Sequence, residues 1–308
     1  MEIVKLGEIE DWQMTELTLA CFDHTFSAER ARKEAETDPR LPDWGGMLYA
    51  KEKGRVLGSA GMIYPRAKTK DGIERIGGIH NVCSRPSEAR KGTAKKLLKE
   101  LHQKMRNNGI RYSILHASRK LVAHNLYREL GYKDLYRVPM AYRKTNGKKS
   151  NIALKKEKDP QFVKSLYEKS VEGLYGLIVR EDCFWNLANV RGFPENDNLR
   201  IAYEGDERIG YALFETSRKH SLVEEISAKE RTDIPRILEA IENESSSEYI
   251  AINRANPNYR DILEECGFRY YDDRWERMMI KNLKGPTEDA IEAFNSGERV
   301  HTGPYEHY

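Results

Sequence analysis

The run Ala89-Arg-Lys-Gly-Thr-Ala94 joins residues of strand character, Ile79 and Val82, to an amphipathic stretch with Ala94, Leu97, Leu98 and Leu101 on one face. It reads as strand, tight turn and helix. The first turn of a helix presents backbone N–H groups that have no partner inside the helix, and the helix dipole adds positive potential there. Gly92 has no Cβ and is followed by small Thr93 and Ala94, so a phosphate or pyrophosphate can reach those donors, and Arg90 and Lys91 add charge. A plain connecting loop would carry the same glycine, so anion binding and simple chain reversal both stand at this point.

Proton-accepting groups surround the turn in sequence. His80 precedes it on the central strand, His116 lies on a second expected strand (residues 111–118), and His124 lies on a helix that begins near Leu121 and is closed by Gly131. A histidine titrates near neutral pH, which suits proton transfer, and a structural role is the alternative for each. The four cysteines, Cys21, Cys83, Cys183 and Cys266, are scattered without CxxC spacing. Free thiols are expected, with no disulfide framework and no metal site.

The order strand, turn, helix, strand, helix, strand from Gly77 to Tyr132 resembles the GCN5-related N-acetyltransferase (GNAT) superfamily. Its pattern Gln/Arg-x-x-Gly-x-Gly/Ala falls on Ala89 to Ala94, where Ala89 departs from the usual Gln or Arg. Its tyrosine, four residues before a Gly-aromatic pair, falls on Tyr127 before Gly131-Tyr132. The resemblance implies that Ala89, Arg90, Lys91, Gly92, Thr93 and Ala94 hold the pyrophosphate of acetyl-CoA. It also implies that Val82, Cys83 and Ser84 of a splayed strand hold the pantetheine and polarise the thioester, with Ser118 and Asn125 completing the cofactor site. Tyr127 would protonate the leaving thiolate, and His80, His116 or His124 would take the proton of a primary amine that attacks directly in a ternary complex. The first helices and the loop after them would form one wall of the acceptor pocket. That makes Phe22, Phe26 and Trp44 candidates for substrate contact, against the reading of ordinary core aromatics, and Asp23, Glu29, Asp38 and Asp43 candidates for attracting a cationic amine.

Positioning these groups takes a sheet with helices on it. Residues 1–6 read as a first strand, 9–21 and 27–37 as helices, and 38–46 as a loop full of breakers. Residues 47–51 and 55–64 alternate around Lys53-Gly54 as a hairpin, and 136–143 read as the last strand of this unit. The polar, basic run Lys144 to Ser150 marks a boundary. Beyond it the pattern starts again: helices at 162–167 and 182–187, a hairpin at 199–203 and 208–215, a strand at 222–226, a helix at 234–242, a strand at 249–253, a helix at 259–266 ended by Gly267, and a strand at 269–280. Aligning Gly267-Phe268 with Gly131-Tyr132 gives a weak internal repeat. The second copy lacks the chemistry, because residues 227–234 contain no glycine and Leu263 stands where Tyr127 stands. The expected fold is α/β of the α+β kind: two tandem GNAT-like domains, each a mixed, mostly antiparallel sheet flanked by helices. Residues 1–146 form the catalytic domain, 151–283 a degenerate one, and 284–308 a C-terminal tail.

The segments Gly77 to Pro86 and Val179 to Trp185, followed by the Tyr203 hairpin, look like the first two domains of the enhanced-intracellular-survival type of acetyltransferase. Those enzymes usually carry a third, sterol-carrier-like domain, for which the residues from Leu283 onward are too few. In them a terminal carboxylate serves as base, which adds Tyr308 to the catalytic candidates, against the reading of a frayed tail. Two other function classes fit part of the pattern. One is a non-catalytic acyl-CoA-binding or interaction protein. The other is an aminoacyl-tRNA-using transferase, a group with paired GNAT-like domains that generally lacks the cofactor turn.

A length of 308 residues leaves room for two domains. The 52 basic and 49 acidic residues leave a net charge of +3, too small an excess to indicate a nucleic-acid partner. No apolar run approaches the roughly 20 residues of a membrane span, and Met1 to Lys5 begins no signal-peptide core. The expectation is a soluble cytoplasmic protein with no membrane partner, acting on an amine in a small molecule or a protein, with a homo-oligomer left open.

Overall fold

The computed structural model describes residues 1–22, 28–181, 198–217, 219–271 and 275–303. The chain runs through β1 (Glu2–Lys5), α1 (Asp11–Phe22), α2 (Ala28–Thr37), β2 (Met47–Glu52), β3 (Arg55–Ile63), the hairpin β4 (Arg66–Thr69) and β5 (Gly72–Arg75), and β6 (Gly77–Ser84). Then come α3 (Thr93–Asn107), β7 (Tyr112–Ser118), α4 (Val122–Glu129), β8 (Lys133–Arg137) and β9 (Met140–Lys144). The second half contains β10 (Ala153–Lys155), α5 (Pro160–Ser170), β11 (Tyr175–Leu177), β12 (Leu199–Glu204), β13 (Glu207–Thr216), β14 (His220–Ala228) and α6 (Asp233–Ser245). It closes with β15 (Tyr249–Asn253), α7 (Arg260–Glu265), β16 (Arg269–Tyr270), β17 (Glu276–Asn282), α8 (Thr287–Ala293) and β18 (Val300–Thr302). The helix expected at 182–187 lies outside the described residues.

Two seven-stranded sheets carry the two halves, in the orders β1-β2-β3-β6-β7-β17-β8 and β10-β12-β13-β14-β15-β9-β16. The α3 pattern explains its place: Leu97, Leu98, Leu101 and Met105 are buried on one face, while Lys96 and Lys99 stay outside. Those leucines share a core with Leu48, Ala60, Ile79 and Leu115 of the strands and with Tyr127 of α4, so α3 and α4 cover one face of the first sheet. Met14 and Leu17 of α1 and Ala28 of α2 pack with Tyr49, Val56 and Cys83 in a separate cluster of that sheet. The second sheet repeats the scheme, with Ile234, Ile237, Leu238 and Ile241 of α6 on one face and Val163 and Leu166 of α5 packed with Ile201 and Tyr211.

The halves are interlocked. The strand expected over 136–143 breaks at Val138-Pro139: β8 stays in the first sheet, and β9 enters the second between β15 and β16. Proline has no N–H to give a ladder, so the strand cannot run through it. The strand expected over 269–280 divides likewise. β16 remains in the second sheet, and β17 enters the first between β7 and β8, where it pairs antiparallel with both. Met278, Met279 and Ile280 of β17 are fully buried there, a burial of about 1.5–3 kcal/mol each. Each sheet is therefore completed by the other half, and neither 1–146 nor 151–283 contains its own seven strands.

Residues 284–303, expected as a tail, are folded. Ala290, Ala293 and Phe294 in and beside α8 share a core with Met278 and Ile280. β18 pairs in parallel with β11, which adjoins β4, so a small sheet, β18-β11-β4-β5, ties the two halves together. Gly176 makes this possible: its φ is +107, and a Cβ there would lie 2.3 Å from the His301 carbonyl oxygen. No helix among the described residues is long and apolar enough to cross a membrane.

Candidate active site

A wedge opens in the middle of the first sheet. β6 and β7 pair in parallel at Gly77↔Ser113 and Gly78↔Ile114 and then separate, while β7 stays paired with β17 as far as Ser118. β6 stays on β3, but its register shifts between Ser59 and Gly61, where Asn81 adopts φ +48. Asparagine tolerates that left-handed conformation better than most residues. The Ser59 hydroxyl fixes the bulge by donating to the Asn81 carbonyl at 3.0 Å. Val82, Cys83 and Ser84 follow the bulge along the open edge, where β6 no longer pairs with β7.

Beyond β6 the chain turns through a short 3-10 segment, Pro86–Glu88, and the Ala89 N–H donates to the Pro86 carbonyl. Arg90 (φ +63) and Gly92 (φ +86) are both left-handed. A Cβ on Gly92 would meet nothing within 4 Å, so conformation rather than space demands glycine. α3 starts after it with no side-chain cap. Helix bonding resumes with the Lys96 N–H donating to the Gly92 carbonyl, and the Lys91 N–H is spent on the Glu88 carbonyl, so the amides of the first helical turn between them are the ones open to a ligand. Lys91 and Lys95 pair with Glu88 and Glu129, while Arg90, Lys91 and Gly92 are exposed. An uncapped helix end beside these cations favours an anion.

Tyr127 stands on α4 on the same face of the sheet as α3. It is 6 % exposed, and burial pushes its pKa up to about 12. Its ring meets Tyr132 edge-on at 6.0 Å. The Tyr132 hydroxyl is fixed between Ser113 Oγ (2.6 Å) and His102 Nε2 (2.8 Å), and burial holds His102 neutral with a pKa of about 3. Tyr127 is thereby wedged by a rigid neighbour. Ser118 Oγ accepts the Lys120 N–H at 3.3 Å where α4 is approached, and Asn125 is exposed on α4.

The three histidines separate. His124 Nε2 lies 2.8 Å from Asp134 and ties α4 to β8, a structural role. His80 and His116 each lie two residues beyond the last β6–β7 pair, so they occupy matching positions across the wedge. His116 shares the strand parity of Ile114, which faces the core opposite α3 and α4. His80 packs over Gly61, where a Cβ would come within 2.5 Å of the imidazole. His116 Nδ1 is 3.3 Å from Glu276 Oε1, and burial pushes its pKa down. Glu276 and its second partner Arg254, 3.5 Å away, come from the other half of the chain. Nothing in the local sequence announces them, since their arrival depends on which sheet β17 joins.

Two expected acceptor contacts pack against the cores of the first half, Trp44 on the cluster that holds Tyr127 and Val82, and Phe22 on the one that holds Cys83. Trp44 packs on the α3 side with Lys104 above its ring, and Lys104 is three turns along α3 from the Gly92 turn. Phe22 packs against the core beneath α1. The Asp38 carboxylate is buried and paired with Arg40 at 2.7 Å, so it offers no free charge to an amine. Phe26, Asp23 and Tyr308 lie outside the described residues.

Residues 3–134 match the family described as the acetyltransferase (GNAT) domain. No curated protein matches the chain. Among solved structures, a GCN5-related N-acetyltransferase from Anabaena variabilis ATCC 29413 superposes with a TM-score of 0.66 at 16 % identity, covering 92 % of this chain and 73 % of that one. One from Kribbella flavida gives 0.65 at 15 % identity, over 93 % and 72 %. Eis1 from Mycobacterium abscessus gives 0.62 at 14 % identity, over 92 % and 74 %. At these identities the likeness is one of fold, and it extends over both halves.

Proposed function

Taking residues 3–134 as an acetyltransferase (GNAT) domain, we propose that the chain moves an acetyl group from acetyl-CoA to a primary amine by direct attack in a ternary complex. The observation that carries this reading is the wedge itself. An anion-ready helix end sits at its mouth, a protonated phenol lies on one face of the sheet, and histidines line the other. Ala89 to Ala94 would receive the pyrophosphate, and Val82 to Ser84 would hold the pantetheine by main-chain bonds and polarise the thioester carbonyl. Ser118 and Asn125 would close the cofactor's far side.

The amine lone pair attacks the carbonyl carbon, a C–N bond forms, and the C–S bond breaks. One proton must leave nitrogen, and the thiolate must be neutralised. An alkyl amine with a pKa near 10 is mostly protonated at neutral pH, so an acceptor in the wedge is required. Tyr127 faces a constraint. At a pKa of about 12 it is a weaker acid than a thiol near 8.5, so its first service is a hydrogen bond to the sulfur as charge develops. A covalent cysteine route is disfavoured: burial and the adjacent Cys83 push Cys21 up to about 12, which keeps it a thiol.

Free-thiol release from acetyl-CoA in the presence of an amine panel tests the reading, with coenzyme affinity measured in parallel. Release dependent on an amine is expected. Tight coenzyme binding with no release for any amine would overturn it in favour of a binding protein.

A further inference from the structure

A half-buried polar cluster at the joint between the halves has no part in the scheme so far. Glu276 opens β17, in register with Ser118, and its carboxylate stands on the face that carries His116. The same oxygen, Oε1, lies 3.3 Å from His116 Nδ1 and 3.5 Å from Arg254 Nη2. Arg254 leaves β15 with φ +49, a left-handed conformation that turns the chain at the joint. The other groups packed around it are uncharged at neutral pH. Burial raises Tyr136 of β8, and burial pushes His301 of β18 down to about 3. The charge felt by His116 is set by Glu276 and Arg254, with His80 across the wedge.

We propose that Glu276 is a positioning residue for acetyl transfer, delivered by the second half of the chain. Its carboxylate accepts the His116 Nδ1–H and so leaves Nε2 as the basic nitrogen that takes the proton of the attacking amine, while Arg254 fixes the carboxylate. The proton moves from the amine nitrogen to Nε2 as the C–N bond forms, and the resulting imidazolium lies against Glu276. A carboxylate behind an imidazole selects the tautomer and stabilises the charged form without taking the proton itself. This rests on the acetyl-transfer reading above, and it explains a strand that crosses from one half to the other: the first half's site is incomplete without it.

The test is the pH profile of kcat/KM for the full chain with acetyl-CoA and an amine that the wild type acetylates. E276Q keeps an acceptor oxygen but removes the charge that favours imidazolium, so the acidic limb moves to lower pH and kcat falls about tenfold. R254Q removes a charge that disfavours imidazolium, so its limb moves to higher pH. E276D restores part of the E276Q loss. Opposite shifts are something a merely structural role would not produce. Limbs that stay in place or move together in folded variants, with unchanged coenzyme affinity, overturn the proposal and leave acetyl transfer standing. If E276Q does not fold, R254Q and E276D carry the same comparison. A wild type that releases no thiol with any amine fails at the earlier step and takes this proposal with it.

Discussion

The two halves of the molecule share a scaffold and differ in what they leave unspent. Both end the helix after their central crossover in the same way: Gly131 and Gly267 have φ of +90 and +82, and the amides of Tyr132 and Phe268 return to the carbonyls of Tyr127 and Leu263 at 3.0 and 2.9 Å. In the first half β6 and β7 part after Gly78↔Ile114, and in the second β14 and β15 part after Val223↔Ile252, so both sheets open beyond their parallel pair. The turn before α6 contains no left-handed glycine. Its amides are consumed internally, with Asp233 and Ile234 donating to the carbonyls of Glu230 and Arg231.

Register shows how the second wedge is filled. Gly58 pairs with Ser84 as Gly210 pairs with Ala228, and three residues further along the partner strand Gly61 meets His80 while Leu213 meets Glu225. Where the first half has a half-buried histidine, the second has a carboxylate locked to Arg180 at 2.8 Å and to the Tyr211 hydroxyl at 2.6 Å, with the guanidinium over Tyr167. On the proposed reading, the same sheet serves as a site or as a brace according to whether its amides and its central gap are already occupied.

The strongest challenge to this contrast is to separate the halves. Residues 1–146 alone lack β17, which leaves β7 and β8 with open edges and exposes the surfaces that Met278, Met279 and Ile280 cover. That piece is expected to show no cooperative thermal transition, while the full chain melts with both halves coupled. A folded, coenzyme-binding 1–146 would mean that the strand exchange is dispensable.

Breaking the brace comes next. Arg180→Met leaves Glu225 buried without its counter-charge, and the side chains of the pair are only 1 % and 11 % exposed. A loss of about 3–5 kcal/mol in denaturant unfolding is expected, with turnover per folded molecule unchanged. A large fall in turnover at unchanged stability would instead place chemistry in the second half.

Tyr127→Phe reverses that pattern. No hydrogen bond from the Tyr127 hydroxyl is found among the described residues, and the ring contact with Tyr132 survives the change, so stability should shift by less than about 0.5 kcal/mol. Turnover should fall about a hundredfold. Tyr259→Phe, at the entry to α7 in the second half, should leave turnover untouched, and equal effects at both sites would erase the distinction between the halves.

The local parts of this picture were legible in the sequence. Gly92 announced a turn and Gly131 and Gly267 announced matching caps, because a left-handed residue next to a helix is a local requirement that few side chains meet. The absence of glycine from residues 227–234 foretold the closed second turn for the same reason. The partners of β9 and β17 were hidden. Alternating strands such as Met140–Lys144 and Glu276–Asn282 state which face is apolar but not which neighbour they join, and that choice is made by packing across the whole chain. Pro139 was the one available signal, since it forbids the continuous strand expected over 136–143. Glu276 and Arg254 were out of reach because their role follows from that exchange.

The smallest predicted effect probes the turn itself. Gly92 has open space around its Cα, so alanine there would not collide with protein. Its cost would come from φ +86, which an L side chain adopts at a penalty of about 1–2 kcal/mol. Strain of that size is relieved by moving the turn, and moving the turn rotates the amides of Thr93 and Ala94 away from an anion. Gly92→Ala should therefore weaken coenzyme binding about tenfold by calorimetry, from that strain alone. In the second half, Thr232 already has the ordinary helical φ of −66, so Thr232→Ala should change coenzyme binding by nothing measurable. Equal losses from the two substitutions would mean that the coenzyme does not discriminate between the two turns.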